Sequence, residues 1–374
     1  MSGPLTGIRV IDFTHVLAGP ACAYHLALMG AEVIKVEKPG RGDAMRNRSG
    51  TDPARASEGM STAYLTQAAG KRSAALDLEE PEDRAAFDAL MAEADVLVEN
   101  HRPSTLKRLG LTGLTARYPR LIHCAITGYG RGHALEDAPA YDINIQAASG
   151  LMALTGTTES GPMRVGAPVI DYATALAAGF GICAALVDRE RTGKGGLVDV
   201  AMMDVALTLM SSTVVDHALT GNAPTRRGNA ANSRSPSSGV FPCRAGHLSL
   251  GVNEDAQFVR LAHALGETRW LDDPRFATPV ARNANSEALG GAISAALASR
   301  DAETWERLLL QAGVPTAMLR DLPEAVAVTK ASGRDFLEDA EGSPTPTSPV
   351  KVGTARPQLH APEKLGQSTE PKWT

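Results

Sequence analysis

The sequence predicts an α/β protein built on a mostly parallel β-sheet. In the first third of the chain, short runs rich in β-branched residues alternate with helical segments. Such alternation is typical of βαβ units, in which each helix returns the chain to the same edge of the sheet. At 374 residues the chain is longer than most single domains, so we expect two domains.

The strands and helices of the N-terminal third follow from local patterns. Pro20 near the start of a helical pattern and Gly30 behind it are the usual signals for the two ends of a helix. A segment rich in Gly, Arg, Ser and Asp predicts a long surface loop at 39–62, of a kind that often carries function. The predicted strands are 8–14, 31–37, 74–77, 95–99 and 121–127, and the predicted helices are 20–29, 81–92 and 104–109.

The rest of the chain divides into a helical middle, a linker and a second compact region. Residues 221–239, rich in Asn, Arg, Ser, Pro and Gly, predict a linker between a large domain, 1–220, and a small domain, 240–329. We expect the tail 330–374 to complete the large domain. The helices predicted here are 142–154, 172–189, 203–219, 254–265, 285–298 and 301–312, and the strands are 197–201, 248–252 and 314–319.

Composition excludes several classes of protein. The formal net charge of -5, with no basic tail or basic-aromatic stripe, argues against a nucleic-acid partner. No uninterrupted apolar run reaches the length of a membrane span and no secretory signal opens the chain, so we expect no membrane partner. Four scattered cysteines without a CxxC pair disfavour a zinc knuckle or a disulfide framework. These observations predict a soluble cytoplasmic protein.

Common catalytic and cofactor motifs are missing. The chain has no GxSxG elbow, no HExxH spacing and no GxGxxG after the first strand. The stretch 192–195 has neither the spacing nor the Ser or Thr of a P-loop, and we interpret it as a turn. His123 lies in an apolar strand and is interpreted as a core residue, and we expect no metal site.

Asp171 is the carboxylate that remains to be explained. It lies between an extended segment, 165–170, and a helix of small residues that begins at Tyr172. One interpretation is an N-cap, since Asp is preferred there and accepts a hydrogen bond from a free helix N–H. The other is a nucleophile, which substrate can approach closely beside small residues and helix N–H donors. The residues alone leave both open.

Eight stretches of the sequence, taken together, form a recognisable pattern. They are 12–20 (DFTHVLAGP), 30–37 (GAEVIKVE), 42–43, 71–78 (KRSAALDL), 94–100 (ADVLVEN), 141–151, 165–171 and 189–202 (RERTGKGGLVDVAM). The pattern resembles that of the family III CoA-transferases, also called CaiB/BaiF. The stretches occur in the family's order and cover the first 220 residues well, whereas residues 240–374 match more loosely.

This resemblance implies a fold, an assembly and a reaction. The fold would be a Rossmann-like large domain with a smaller α/β domain, and two copies would form an interlocked homodimer. Asp171 occupies the position of the family's catalytic aspartate, which moves CoA from an acyl-CoA to a small organic carboxylic acid. The implied route runs through an aspartyl anhydride and an aspartyl-CoA thioester. Coenzyme A would be a substrate, and no cofactor would be bound permanently.

The resemblance also assigns roles to individual residues. His15 and the backbone of Leu17 and Ala18 would stabilise the oxyanion, beside the nucleophile Asp171. Basic side chains among the implied CoA contacts suit phosphate by charge and, for Arg, by bidentate geometry. The residues implied to contact CoA are Val16, Lys38, Lys71, Arg72, Asn100, His101, Thr105 and Arg108.

Two other functions stay open. Racemases of the same family remove an α-proton with a His-Asp pair, where this chain has Tyr141-Asp142. Tyr has a reference pKa of about 10 and is a poor base near neutrality, which favours transfer. Asp142 is interpreted either as a partner of the reacting groups or as an N-cap of the following helix.

The last alternative is a CoA-binding protein without activity. Leu17 replaces the Gln of formyl-CoA transferases, which makes formyl and oxalate doubtful substrates. The more apolar entrance loop, with Met152 and Leu154 nearby, favours a larger organic acid.

Overall fold

The computed structural model describes residues 3–48, 50–231, 233, 235–353 and 358–374. The chain divides into two units. Unit 1 comprises Met1–Ala153, Met163–Pro224 and Ser332–Thr374, and unit 2 comprises Leu154–Pro162 and Thr225–Ala331. In this division the C-terminal tail belongs with the N-terminal residues.

Unit 1 is organised around a six-stranded sheet in which every neighbouring pair is parallel. The strands are β1 Arg9–Phe13, β2 Glu32–Glu37, β3 Lys71–Ala75, β4 Val96–Glu99, β5 Ile122–Thr127 and β6 Gly196–Ala201. Their order is β3-β2-β1-β4-β5-β6, which is the order of a Rossmann sheet. The α/β prediction is therefore confirmed. The order reverses between β1 and β4, and this opens a crevice at the carboxyl ends of the strands.

Three short helices, Pro53–Ser57, Thr62–Leu65 and Leu114–Arg117, were not predicted, and the first of them lies within the predicted loop 39–62. Two predicted helices are interrupted. The predicted helix 142–154 is interrupted at Gly150, whose φ of 89° ends the first piece. The predicted helix 203–219 is interrupted at Met210. The helices through residue 220 are α1 Ala18–Leu28, α2 Pro53–Ser57, α3 Thr62–Leu65, α4 Pro81–Glu93, α5 Pro103–Arg108, α6 Leu114–Arg117, α7 Asp142–Ala148, α8 Leu151–Leu154, α9 Val169–Thr192, α10 Met202–Leu209 and α11 Ser211–Thr220.

The long helix α9 covers one face of the sheet together with α1. Its inner face, with Ala175, Ala178 and Ile182, is fully buried against α1, β4 and β5 residues in the main core. An 18-residue window of α9 has a mean hydropathy of 1.7, so the helix is long and apolar enough to cross a membrane by length and composition. This stretch was not predicted from the sequence, because polar residues interrupt its apolar run, although they lower its mean hydropathy only slightly. A second core, around Phe87 and Leu97, fills the opposite face.

Unit 2 is smaller and has its own core around Phe258, Trp270 and Trp305. Its strands are β7 Ser238–Pro242, β8 His247–Gly251 and β9 Thr316–Met318, and its helices are α12 Asp255–Leu265, α13 Pro279–Ala284, α14 Ser286–Leu297, α15 Ala302–Gln311 and α16 Leu322–Ala331. The strands form an antiparallel sheet in the order β7-β8-β9. Of these elements, β7, α13 and α16 were not predicted. The tail, in unit 1, adds a hairpin of β10 Leu337–Ala340 and β11 Ser343–Pro346.

Gly195 marks a close approach between the turn before β6 and the start of β5. A Cβ at Gly195 would lie 2.1 Å from the carbonyl oxygen of Leu121, whereas one at Gly196 would meet nothing within 4 Å. We expect Gly195→Ala to lower the free energy of unfolding by about 2 kcal/mol or more, since the backbone must shift. Gly196→Ala is the matched control and is expected to cost much less. Urea unfolding of both variants checks this, and equal losses would contradict it.

Candidate functional site

The crevice at the carboxyl ends of the strands holds two cavities. The first, which we call the Asp171 cavity, has a volume of about 320 Å³. It lies between the ends of β1, β4 and β5 on one side and the start of α9 on the other. Its lining includes His15, Val16, Leu17, Ala18, Asn100, His101, Arg102, Thr105, Tyr141, Asp171 and Met202.

The second cavity, which we call the Lys38 cavity, has a volume of about 290 Å³. It lies beside the ends of β2 and β3, and it shares His15, His101 and Thr105 with the Asp171 cavity. The other residues that line it include Lys38, Arg41, Asp43, Leu76, Asp77, Leu78, Glu79 and Arg108. Two adjoining cavities with shared walls suit a long ligand better than a small one.

Asp171 is not an N-cap, so that interpretation was wrong. Helix α9 begins at Val169 with Pro168 at the N-cap position, which makes Asp171 the third helical residue. The cap comes instead from Asp142, at the start of α7. The carboxylate of Asp142 accepts hydrogen bonds from the backbone N–H groups of Ile170 (2.8 Å) and Asp171 (3.3 Å). Because another residue caps the helix, the Asp171 carboxylate is left to face the cavity.

The pKa of Asp171 is raised to about 7, first by burial and second by the negative charge of Asp142. Among the described residues, no side chain donates a hydrogen bond to the Asp171 carboxylate that would offset these effects. Gln146 steadies Asp142 by donating from its amide at 2.6 Å. A carboxylate in a cavity with a pKa shifted by burial and a defined charge partner is a mark of a reaction centre.

Activity that needs the ionised form of Asp171 should rise with pH. Since the raised pKa is about 7, we expect kcat/KM for the thioester substrate to increase through pH 7 and to level off above it. Asp142→Asn removes the second cause of the shift and should move the midpoint to lower pH. Asp188→Asn, at an exposed position on α9, is the control and should leave it unchanged. A profile with no midpoint between pH 6 and 8 would contradict this account.

Two histidines stand at the boundary between the cavities. The rings of His15 and His101 have centroids 5.2 Å apart, and the His101 ring also packs on Phe13 at 4.3 Å. Burial lowers the pKa of both imidazoles, that of His101 to about 3. Both are therefore neutral at neutral pH, so each ring can both donate and accept a hydrogen bond.

The residues predicted to stabilise the oxyanion line the Asp171 cavity, and so does Tyr141. Leu17 is the N-cap residue of α1 and Ala18 its first helical residue, so their N–H groups lie where a helix leaves donors unpaired. Tyr141 lies across the cavity at the N-cap of α7 with 62% of its surface exposed. Asp142 is the first residue of α7 and not its N-cap, so the N-cap interpretation of Asp142 was wrong.

The structure divides the residues predicted to contact CoA into two groups. The first group lines the cavities: Val16, Lys38, Asn100, His101, Thr105 and Arg108. Within this group, the Lys38 ammonium lies 3.3 Å from Asp77 and 3.8 Å from Glu79, and Arg108 also pairs with Glu79. The Lys38 and Arg108 side chains are each 59% exposed, so an anionic ligand can exchange for these surface pairs at small cost.

The second group, Lys71 and Arg72, lies away from both cavities, and its prediction needs correction. The Lys71 side chain is 2% exposed, and its ammonium donates to Asp12 (2.7 Å) and to the carbonyl of Pro20 (2.6 Å). Arg72 pairs with Glu32 near the amino ends of β3 and β2. Both side chains are paired with acidic residues of the protein, so neither is free to bind a CoA phosphate. The physical reason is that β3 begins at Lys71, earlier than predicted.

Residues that the sequence analysis did not assign to the site also line the cavities. Arg102 extends the Asp171 cavity with an exposed cation, and the segment 76–79 after β3 lines the Lys38 cavity. A usable signal was present, because loops that follow parallel strands meet at one edge of the sheet. Among the described residues, no group of three or more His, Cys, Asp or Glu side chains could hold a metal ion.

The fold and the site define an α/β protein with a carboxylate-centred cavity at the switch point of a Rossmann sheet. The family model for CoA-transferase family III matches residues 5–372, so the chain belongs to that family and is a transferase. The resemblance seen in the sequence is confirmed.

Relatives with named activities agree with this assignment. The chain is 36% identical to the acetyl-CoA:oxalate CoA-transferase of Acetobacter aceti, over 94% of this chain and 89% of the relative. It is 35% identical to the succinate–glutarate CoA-transferase of Agrobacterium fabrum, over 98% and 90%. A CAIB/BAIF family protein from Brucella suis has a crystal structure that superposes with a TM-score of 0.86, at 31% identity over 98% of this chain and 97% of that one.

Proposed function

We propose that this protein moves CoA from an acyl-CoA thioester to a free carboxylic acid, with Asp171 as the nucleophile. The observation that carries the proposal is the Asp171 carboxylate, which lines a cavity at the open edge of the sheet with a pKa raised to about 7. At that pKa a large fraction is ionised near neutrality, and burial makes the anion a stronger nucleophile. Family membership supports the choice of thioester and carboxylate as substrates.

The first half of the reaction forms a covalent intermediate. An Asp171 oxygen attacks the thioester carbonyl, the C–S bond breaks, and the products are a mixed anhydride and free CoA thiolate. The thiolate then attacks the Asp171 carbonyl carbon of the anhydride. The C–O bond breaks there, the donor acid leaves as a carboxylate, and an aspartyl-CoA thioester remains.

The second half repeats these steps with the acceptor. The acceptor carboxylate attacks the aspartyl thioester, which gives a new mixed anhydride and thiolate. The thiolate attacks the acceptor's acyl carbon, and the product thioester leaves as the Asp171 carboxylate is regenerated. The N–H groups of Leu17 and Ala18, with neutral His15, are proposed to stabilise the oxyanions in each step.

We propose that CoA binds across both cavities. The reacting sulfur would lie beside Asp171, and the phosphates would lie by the exposed cations Lys38 and Arg108 of the Lys38 cavity. His101 and Thr105, which line both cavities, would lie along the middle of the ligand, and Val16 and Asn100 would contact it within the Asp171 cavity. In the complex, the ligand phosphates would replace Asp77 and Glu79 as the partners of Lys38.

A dicarboxylic acid is our proposal for the acceptor. The Acetobacter and Agrobacterium relatives are named for oxalate, succinate and glutarate, which are all dicarboxylates. Arg102, an exposed cation on the Asp171 cavity, can pair with the distal carboxylate of such an acid. Oxalate belongs among the acceptors to test, although Leu17 was taken above as an argument against it.

The proposed assembly is the homodimer that the family resemblance implies. Helices α9 and α11 expose large apolar side chains within unit 1, with Phe180 78% and Leu219 82% exposed. A partner copy would cover such surfaces, which soluble monomers rarely leave open in groups. We propose a cytoplasmic location, with small-molecule substrates and no nucleic acid or membrane partner.

The experiment that tests this function is a panel of donors and acceptors in deuterated water. Acetyl-CoA is offered with oxalate, succinate or glutarate, succinyl-CoA is offered with oxalate or glutarate, and a 2-methyl-branched acyl-CoA is offered without acceptor; products are identified by mass. The proposal expects a new acyl-CoA only when an acceptor is present. Deuterium entering the α-carbon of a branched acyl-CoA without acceptor would instead identify a racemase. CoA binding without turnover in any combination would identify a non-catalytic protein.

A further inference from the structure

The loop between β1 and α1 contains a strained residue in the wall of the Asp171 cavity. Val16 has a φ of 71°, in the left-handed region that β-branched residues avoid. Such a conformation costs on the order of 1 to 3 kcal/mol and persists only where surrounding structure imposes it. It also sets the direction of the peptide that follows, and therefore of the N–H groups of Leu17 and Ala18.

Side chains from three other segments of the chain hold Val16 in place. The Val16 N–H donates to the Asp43 carboxylate at 3.1 Å, and its carbonyl accepts from the Gln67 amide at 2.7 Å. Lys35 lies 3.1 Å from Asp43 and donates to the carbonyl of Thr14 at 2.9 Å. The backbone N–H and carbonyl of Val16 are thus both hydrogen-bonded to side chains, and the carbonyl of Thr14 accepts a hydrogen bond from Lys35.

The three side chains that hold Val16 are buried. Lys35, Asp43 and Gln67 are 1%, 3% and 2% exposed. The amide oxygen of Gln67 is buried without a hydrogen-bond partner among the described residues, although its nitrogen donates to Val16. An unpaired buried oxygen is unfavourable, so stability alone does not account for an amide at this position.

We infer that Gln67, Asp43 and Lys35 are positioning residues, which hold Val16 in its left-handed conformation and so orient the Leu17 and Ala18 N–H groups toward the Asp171 cavity. The inference rests on the proposed function for its effect on catalysis. The hydrogen bond to the Asp43 carboxylate and the one from Gln67 are together of the same order as the strain that they oppose. Without them, Val16 relaxes to negative φ and the following peptide rotates away.

The test combines two substitutions. Gln67→Met keeps the volume and removes the donor, and we expect kcat to fall roughly 10- to 100-fold with KM for the acyl-CoA nearly unchanged. Glycine adopts positive φ without strain, so Gln67→Met should cost less than about 3-fold in kcat in the Val16→Gly background. Gln311→Met, at an exposed position on α15, is the control and should change neither constant.

Crystal structures of the wild type and of Gln67→Met separate this inference from the proposed function. We expect Val16 at positive φ in the first and at negative φ in the second. Positive φ in both, or the same loss of kcat in both backgrounds, would overturn the inference. If the wild type transfers no CoA, the proposed function fails, and the two structures still decide whether Gln67 holds Val16.

Discussion

Asp171→Ala is expected to lower CoA transfer by on the order of 10⁴-fold, because the covalent route loses its nucleophile. Steady-state rates with the best donor and acceptor of the panel measure the loss. Glu287→Ala replaces an acid at a similar first-turn position, on the exposed surface of α14, and should keep full activity. An Asp171→Ala variant with wild-type transfer would show that the nucleophile has been misassigned.

The same variant should not be less stable at neutral pH, which excludes misfolding as the cause of lost activity. The pKa of Asp171 is raised from 3.8 to about 7 in the folded chain, so the unfolded chain releases the proton first as pH rises. Ionisation therefore lowers the stability of the wild type between pH 4 and 7. Asp171→Ala removes this penalty, so the melting temperature of the variant minus that of the wild type should increase as the pH rises from 4 to 7. A difference that decreases over this pH range would contradict the raised pKa of Asp171.

Arg46→Met is expected to cause the largest loss of stability, about 3 to 5 kcal/mol in the free energy of unfolding. The Arg46 guanidinium bonds both carboxylate oxygens of Glu37, at 2.8 and 2.6 Å, and both side chains are almost fully buried. Burial by itself would raise the pKa of Glu37, but the hydrogen bonds from Arg46 hold it below its ordinary value. Removing Arg46 leaves the buried Glu37 carboxylate without its guanidinium partner, although the Asp43 N–H and the Ser73 hydroxyl still donate to it.

Denaturant unfolding of Arg46→Met checks this prediction, and an exposed pair provides the matched control. Arg55 pairs with Asp52 at 3.1 Å, with side chains 48% and 38% exposed. Arg55→Met makes the same chemical change and should cost less than about 1 kcal/mol, since water already solvates both charges. Similar losses in the two variants would show that burial does not control the strength of the Arg46–Glu37 pair.

Local patterns were sufficient for the sheet and for most helices. The runs 33–37 and 122–127 contain β-branched residues and are buried throughout, as expected for a parallel sheet, which buries both faces of its strands. The breaks at Gly150 and Met210 were missed, because helical periodicity continues across both residues. Intrinsic helix propensity does not locate such breaks, because tertiary packing determines where they occur.

The site was predictable in its residue types but not in its partners. The cap on α9 could not be seen, because Asp142 is 29 residues from Asp171 in the chain and acts from another helix. Lys71 was predicted to bind phosphate because its ion pair with Asp12 could not be seen in the sequence. Asp12 is 59 residues away, and the pair forms only when β1 and β3 join the same sheet. Charges whose partners are distant in sequence are therefore the ones that sequence patterns assign wrongly.

Trapping the intermediate tests the central claim most directly. The protein is incubated with acyl-CoA in the absence of acceptor, quenched and digested, and the peptide that contains Asp171 is analysed by mass. The account predicts an added CoA or acyl group on Asp171, absent from Asp171→Ala and lost when an acceptor acid is added before the quench. Transfer by an active enzyme with no adduct on that peptide, or an adduct on another residue that the acceptor discharges, would contradict it.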